Sequence, residues 1–211
     1  MKKREFGEIL LCILTFTVII VFKDLLASNF STIGLSLIAA TLILTTNIGA
    51  KMIAARSFDA NVEHKIWMWE RFGFKPGWRT DKPIPLGIIL SLVITIFTAG
   101  WVKFSTLMTY DTSAHKGSTK KIAGYAFTEM TDWHTAMIGA AGICATLTLA
   151  FVTYWLPSIH VIAQAAAFYA FFNMIPFSKL DGAQIFSGSQ VLWTALAIIS
   201  ALFAFVGLLI F

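Results

Sequence analysis

The residues from Trp133 to Ser178 form a long stretch that contains no Lys, Arg, Asp or Glu. A soluble domain rarely tolerates such a run, because about a quarter of its residues are charged. A bilayer favours it, since a spanning helix needs roughly 20 consecutive apolar residues. Pro157 divides the stretch, which therefore predicts two membrane spans joined by a very tight turn.

The composition of the whole chain is also typical of a membrane protein. Of the 211 residues, 57% are hydrophobic and 13% are charged, and the mean hydropathy is +0.77. The excess of 16 Lys and Arg over 11 Asp and Glu fits loops that face anionic lipid headgroups. We therefore expect membrane lipids as partners, and no nucleic acid. Cys12 and Cys144 lie in apolar runs and predict two packed thiols, with neither a disulfide nor a cysteine zinc site.

Apolar run lengths and helix breakers together predict an all-α membrane protein that forms one integral membrane domain with about six transmembrane helices. Between these spans we expect a polar and aromatic segment at the membrane interface, residues 54–82, and a solvated extramembrane loop, residues 105–132. The predicted spans are residues 7–27, 31–53, 84–104, 133–156, 157–177 and 190–211.

The N-terminal residues resemble a signal peptide, because Met1–Arg4 is basic and the apolar run 9–22 follows. Lys23 and Asp24 interrupt that pattern, so we expect the first span to be retained. With six spans and cytoplasmic termini, ten of the 16 Lys and Arg face the cytoplasm. The positive-inside rule therefore favours an integral plasma-membrane protein with both termini in the cytoplasm.

One polar stretch inside the apolar C-terminal half carries the chemistry of interest. FNMIPFSKLDG, residues 172–182, ends the fifth predicted span with a helix breaker, Pro176, followed by Asp181 and Gly182. An ionisable residue at membrane depth is costly and indicates function. The alternative is an interfacial Asp181 that pairs with Lys179 or caps the sixth helix. The residues alone favour neither.

The stretch resembles the third signature of the site-2 protease family, the intramembrane zinc metalloproteases, in which an N-x-x-P-x-x-x-L-D-G segment brings in the third zinc ligand. The resemblance is strong at residues 171–186 and looser over the rest of the chain, where the order of spans is similar to that of compact members. It implies a site-2-protease-like core. It also implies that Asp181 corresponds to the zinc-binding aspartate and Asn173 to a polar residue near the active site.

The same comparison indicates that this chain lacks the catalytic residues of the family. Family members carry H-E-x-x-H in the second span, where two His bind zinc and the Glu acts as base. In the matching stretch 44–56, Thr46 and Ala50 stand at the His positions and Asn47 at the Glu position. Thr46 is a poor ligand, Ala50 has no donor atom, and Asn47 cannot accept a proton. We therefore expect these positions to be vestigial, with no metal, no cofactor and no catalysis by the chain alone.

The four histidines do not replace the missing ligands in this interpretation. We expect His64 and His115 to be solvated in loops and His134 to be interfacial. His160 begins the fifth span, about 30 Å along a helix from Asp181. We also expect Asp181 to be satisfied by hydrogen bonds from Asn47, Thr46 or Asn173.

These expectations favour a pseudoprotease: a multi-pass structural or regulatory subunit that binds other integral membrane proteins or a transmembrane segment. One alternative is an active intramembrane metalloprotease with non-standard ligands, which would need zinc. A second is a small transporter or channel subunit, for which Asp181, Asn47, Asn173 and Gln164 supply polar groups within the spans.

Overall fold

A computed structural model describes residues 3–71, 79–114, 120–122, 125–127 and 130–210. The chain is mostly helical, and short strands separate the helices in its first two thirds. The helices are α1 (Lys3–Leu26), α2 (Ile33–Ser57), α3 (Leu86–Phe97), α4 (Asp132–Tyr154), α5 (His160–Asn173), α6 (Asp181–Gly188) and α7 (Gln190–Ile210). The strands are β1 (Ala60–Ile66), β2 (Trp69–Arg71), β3 (Arg79–Ile84), β4 (Met108–Ala114), β5 (Lys120–Ile122) and β6 (Tyr125–Phe127).

Among the described residues, four helices are long and apolar enough to cross a membrane: Arg4–Leu26, Ile33–Ser57, Asp132–Tyr154 and Gln190–Leu209. They coincide with the first, second, fourth and last predicted spans, and they are compatible with an integral membrane protein. The turn predicted at Pro157 is confirmed, because α4 ends at Tyr154 and a short 3-10 helix, Pro157–Ile159, leads into α5.

The third and fifth predicted spans fall on shorter helices. Helix α3 has 12 residues and α5 has 14, which correspond to about 18 and 21 Å of helix and fall short of a 30 Å hydrocarbon core. Helix α3 is bounded by Pro85 and by a left-handed turn at Ala99 and Gly100. Helix α5 lies between Pro157 and Pro176. The hydropathy pattern predicted full-length spans because it does not account for how strongly prolines and a left-handed turn end a helix.

The all-α prediction also missed six short strands within the described residues, which form three two-stranded sheets. Strand β1 pairs antiparallel with β4, from Ala60 opposite Ala114 to Ile66 opposite Met108. The interfacial segment predicted at residues 54–82 therefore contains the end of α2 and three strands, and its Trp67 is buried. The predicted loop 105–132 contains β4, in which Tyr110 is fully buried. Phe72, Phe74 and Trp78 of the interfacial segment lie outside the described residues.

Helix α4 lies at the centre of the bundle and contacts α2, α5, α6 and α7. Cys12 is buried in a core that α1 shares with α2 and α5, as predicted, whereas Cys144 on the outer face of α4 is exposed. Both thiols are free. The prediction of two packed thiols is thus correct for Cys12 and wrong for Cys144, since an apolar helix also has a face that points away from its neighbours.

Gly182 allows the first turn of α6 to lie directly on the chain that leaves α5. A Cβ atom at this position would come within 2.2 Å of the Met174 carbonyl oxygen. The same carbonyl accepts a hydrogen bond from Trp193 Nε1 of α7 at 2.9 Å. The glycine therefore fixes how α5, α6 and α7 meet.

We expect Gly182→Ala to destabilise the protein by about 2–3 kcal/mol, because backbone atoms cannot move away from the added methyl group. The measurement is the midpoint of thermal unfolding in detergent. Gly49→Ala is the matched control, since a Cβ there meets nothing within 4 Å and the change gains about 0.5–1 kcal/mol of helix stability. Equal midpoints for the two variants would contradict this account of Gly182.

Candidate functional site

The site begins on one face of α2. Asn47, Lys51 and Ala55 are spaced four residues apart, so they lie one above the other on the same side of the helix, and all three are buried. This face packs against α4, where Gly142 leaves room for it: a Cβ on Gly142 would lie 2.6 Å from Lys51 Cε and 3.0 Å from Asn47 Nδ2. Gly142 therefore allows α2 and α4 to pack closely.

The second half of the site is the stretch that joins α5 to α6. Helix α5 ends at Asn173, the chain turns through a left-handed Ser178, and α6 begins at Asp181. Leu180 is the N-cap residue of α6, and its side chain makes no capping hydrogen bond. Asp181 follows it in the first turn of α6. A negative charge there is favoured by the positive end of the helix dipole.

Lys51 and Asp181 form an ion pair in the interior. Lys51 Nζ donates to Asp181 Oδ2 at 2.6 Å, and the two side chains are 3% and 1% exposed. The ammonium also lies 4.5 Å from the ring centroid of Tyr110, whose hydroxyl donates to the Thr135 carbonyl at 2.8 Å. Within the described part of the chain, Asp181 Oδ1 has no hydrogen-bond partner. Lys51 is thus the group that compensates the buried carboxylate.

This arrangement corrects two sequence-based expectations. Asp181 is fully buried and pairs with Lys51, so it does not pair with Lys179. Its donor is Lys51, for which the sequence predicted no role at this site, and two of the expected donors, Asn47 and Asn173, donate to other groups. The Asn47 amide donates to Thr146 Oγ1 at 3.2 Å, and the Asn173 amide donates to the Tyr169 carbonyl at 2.8 Å.

The remaining vestigial positions lie beside the ion pair on α2. Thr46 and Ala50 are half-buried, between the buried face that carries Asn47 and Lys51 and the exposed side of the helix. The structure therefore brings Asn47, Lys51 and Asp181 to one place, with Thr46 and Ala50 at its border. Sequence reasoning missed Lys51 and Tyr110. The sequence offered a signal for Lys51, because it lies four residues after Asn47 and therefore on the same face of the predicted helix.

His64 is a further departure from the sequence prediction. We expected a solvated loop histidine, but His64 lies in β1 and is 2% exposed. Burial, followed by the positive charge of Lys51, lowers the pKa of His64 to about 3. The imidazole is therefore neutral at physiological pH. His134 lies in the first turn of α4, where it forms a capping box with Thr131, and His115 lies outside the described residues.

The residues at this site do not fit zinc. Catalytic zinc takes three protein ligands and a water molecule. Among Thr46, Asn47, Ala50 and Asp181, only Asp181 has a carboxylate, and that carboxylate already faces an ammonium group. Within residues 3–71, 79–114 and 130–210, no group of three or more His, Cys, Asp or Glu side chains is placed to hold a metal ion.

Comparison with family models, with curated proteins and with solved structures found no match.

We expect Lys51→Met to lower the free energy of unfolding by roughly 3–5 kcal/mol, because it leaves the Asp181 carboxylate buried without a counter-charge. The double variant Lys51→Met/Asp181→Leu should recover most of this loss, since an apolar pair of similar volume replaces both charges. Thermal unfolding in detergent measures both effects.

Lys65→Met is the matched control for this experiment. Lys65 pairs with Asp111 at 2.9 Å, but both side chains are about half exposed, so its loss should cost less than about 1 kcal/mol. If the single variants at Lys51 and Lys65 lose equal stability, the interior pair does not have the role assigned to it.

His64 predicts a pH dependence of stability. The pKa of His64 is about 3 in the folded chain and 6.5 in the unfolded chain. Between these values the unfolded chain binds a proton that the folded chain does not bind. The stability from neutral His64 is complete above pH 6.5 and declines as the pH falls, by about 2 kcal/mol between pH 6.5 and 5. Unfolding midpoints of the wild type and His64→Leu measure it. The wild type should lose stability over this interval while the variant stays flat; parallel curves would refute the assignment.

Proposed function

We propose that this chain is a catalytically inactive, site-2-protease-like membrane protein that serves as a structural or regulatory subunit of a membrane complex. The observation that carries the proposal is the Lys51–Asp181 ion pair. Asp181 stands at the position where the resembled family holds zinc, and here a lysine ammonium lies against the carboxylate at 2.6 Å. A permanent internal cation in this place satisfies the carboxylate without a metal.

The chemistry of the neighbouring residues supports an inactive site. Peptide hydrolysis by a metalloprotease needs a bound water and a general base that removes its proton. Asn47 stands at the position of the base, and its amide donates a hydrogen bond to Thr146. The Lys51 ammonium donates to Asp181 and lies over the ring of Tyr110. These groups hold α2, α4, β4 and α6 together, which is the task of a scaffold.

A face of α2 next to this site supports a transmembrane partner. Thr45 is exposed, Thr46, Gly49 and Ala50 are half-buried, and no atom lies within 4 Å of the position that a Cβ on Gly49 would take. Small residues of this kind allow two membrane helices to approach closely. We call these four residues the small-residue face. We infer that it contacts a transmembrane helix of another integral membrane protein, in a plasma-membrane complex with the termini of this chain in the cytoplasm.

Site-specific photo-crosslinking in native membranes tests this function. A crosslinking residue at Thr46 should give one discrete adduct with another membrane protein, because the small-residue face places it against the partner helix. A crosslinker at Leu202 of α7, which is 59% exposed, is the control and should give no discrete adduct. Gly49→Leu should abolish the Thr46 adduct by blocking close approach, and it should not lower the unfolding midpoint, because glycine is the poorer helix former.

Zinc analysis distinguishes the protease alternative from this proposal. It compares the zinc content of the purified, tag-free wild type with that of Asp181→Ala. About one zinc per chain in the wild type, lost in the variant, would require ligands other than those identified and would overturn the inactive-site proposal. So would hydrolysis of a transmembrane substrate that a chelator abolishes. Absence of a discrete Thr46 adduct would overturn the partner proposal.

A further inference from the structure

Thr46 differs from the other threonines of the helices in its hydrogen bonding. The described helices contain eleven threonines, and nine of these donate a side-chain hydrogen bond to the carbonyl oxygen four residues earlier. Thr135 pairs instead with the Thr112 hydroxyl of β4 at 2.8 Å. The Thr46 hydroxyl alone makes no hydrogen bond with any described residue. Its donor and its acceptor are both unused.

The neighbouring Thr45 explains why Thr46 is not satisfied within α2. The carbonyl oxygen that Thr46 would use, four residues earlier, belongs to Leu42. That oxygen accepts the backbone N–H of Thr46, as in any α-helix, and Thr45 Oγ1 lies 3.2 Å from it. A carbonyl oxygen has two lone pairs, so these two donors fill it. The Thr46 hydroxyl is therefore left without an acceptor in its own helix.

This hydroxyl can be reached from the small-residue face. Thr46 lies near the middle of α2, which is long enough to span a membrane, and its side chain is half-buried. Its oxygen is not one of the enclosed, unpartnered side-chain atoms of the described chain. Gly49, on the next turn, leaves open space beside it. Because the hydrocarbon core holds no water, a hydroxyl at this depth gains a partner only from another protein segment.

The contact between α2 and α4 shows how such a hydroxyl is used. Thr146 Oγ1 donates to the Gly142 carbonyl at 2.9 Å and accepts from the Asn47 amide at 3.2 Å. A carboxamide of one helix is thus satisfied by a threonine of the next, where a glycine lets the two helices approach. Thr46 and Gly49 present the same two residue types, one turn apart, on a face of α2 that packs on no described helix.

The group that best complements the Thr46 hydroxyl is a carboxamide. A serine or threonine on a partner helix would bond to its own backbone, as nine threonines do in this chain. A carboxamide has two N–H donors and an acceptor oxygen, which its own helix does not satisfy. Asn173 illustrates this, because its amide donates to the Tyr169 carbonyl of its own helix at 2.8 Å and also reaches the Ser105 carbonyl of another segment at 3.4 Å.

A second copy of this chain does not offer such a group. Within the described helices the carboxamides of four residues already donate inside the chain: Asn47, Gln164, Asn173 and Gln184. The fifth, Gln190, is the first residue of α7, so it lies at a helix end and not at the depth of Thr46. These contacts favour a different membrane protein as the partner.

We propose that the partner helix carries an asparagine or glutamine that pairs with the Thr46 hydroxyl, and that this hydrogen bond selects the partner. The inference rests on the function proposed above, since it concerns the same face of α2. Close packing at Gly49 brings the two backbones together, and the carboxamide N–H then donates to Thr46 Oγ1. Small residues accept any apolar helix with a matching surface, whereas the hydroxyl distinguishes one such helix from another.

Binding of designed transmembrane peptides to the full chain in lipid bilayers tests the proposal. The peptides share one leucine-rich sequence with a Gly-x-x-x-Gly face and differ only at the central position, which is Asn, Ser or Leu. Energy transfer between the labelled chain and a labelled peptide gives the affinities. The Asn peptide should bind about three- to tenfold more tightly than the Leu peptide, the range for one hydrogen bond between membrane helices. The Ser peptide should bind like the Leu peptide.

Two valine variants separate the hydroxyl from the shape of the side chain. Thr46→Val removes the hydroxyl and keeps the branched side chain, so the Asn and Leu peptides should bind this variant equally. Thr41→Val is the matched control, because the exposed Thr41 already donates to the Leu37 carbonyl at 2.8 Å, and it should retain the preference. Gly49→Leu should weaken binding of both peptides alike, since it blocks close approach.

Equal binding of the Asn and Leu peptides to the wild type, or no binding of either, would overturn the proposal. So would a preference that survives Thr46→Val, or a Ser peptide that binds as tightly as the Asn peptide. Each of these results leaves the function proposed above in place if the crosslinker at Thr46 still gives its discrete adduct. Energy transfer between two copies of this chain that Gly49→Leu abolishes would assign the face to self-association and overturn the choice of partner.

Discussion

Burial of a lysine and an aspartate in an apolar bundle is tolerable only when the two compensate each other, and this requirement organises the centre of the protein. Lys51 comes from α2 and Asp181 from the first turn of α6, 130 positions later in the chain. Removing both from water costs several kcal/mol per ion, and a contact of 2.6 Å offsets that cost. Any arrangement of the helices that separates the two residues leaves two uncompensated charges. The pair therefore favours the arrangement in which α2 and α6 both pack on α4.

The elements around the pair are shaped to admit it. Gly142 of α4 gives Lys51 its path between the helices, and Gly182 lets α6 begin against the end of α5. Tyr110 of β4 covers the ammonium and is anchored by its hydroxyl to the Thr135 carbonyl of α4. The β1–β4 sheet is thereby connected to the helices, and the buried His64 of β1 is close enough for Lys51 to lower its pKa further. The sheet is part of the core and not a solvated appendage.

The buried Lys51 beside Asp181 has a structural role in this architecture. In the proposed function, a fixed lysine takes the electrostatic role of a metal beside Asp181, but it cannot activate a water molecule. Under that proposal, what remains for function is the small-residue face of α2, which suits the close approach of another membrane helix.

Features that depend on local composition could be predicted from the amino-acid sequence. Apolar runs predicted six spans, and four of these coincide with membrane-length helices. Pro157 marked a real break, and the Asn173–Gly182 stretch identified the turn that carries Asp181. Three features depend on how distant segments pack: the partner of Asp181, the burial of His64 and Tyr110, and the pairing of β1 with β4. Hydropathy treats a lysine near a helix end as solvated. Whether it is solvated depends on which helix packs beside it, and that is a property of contacts between distant residues.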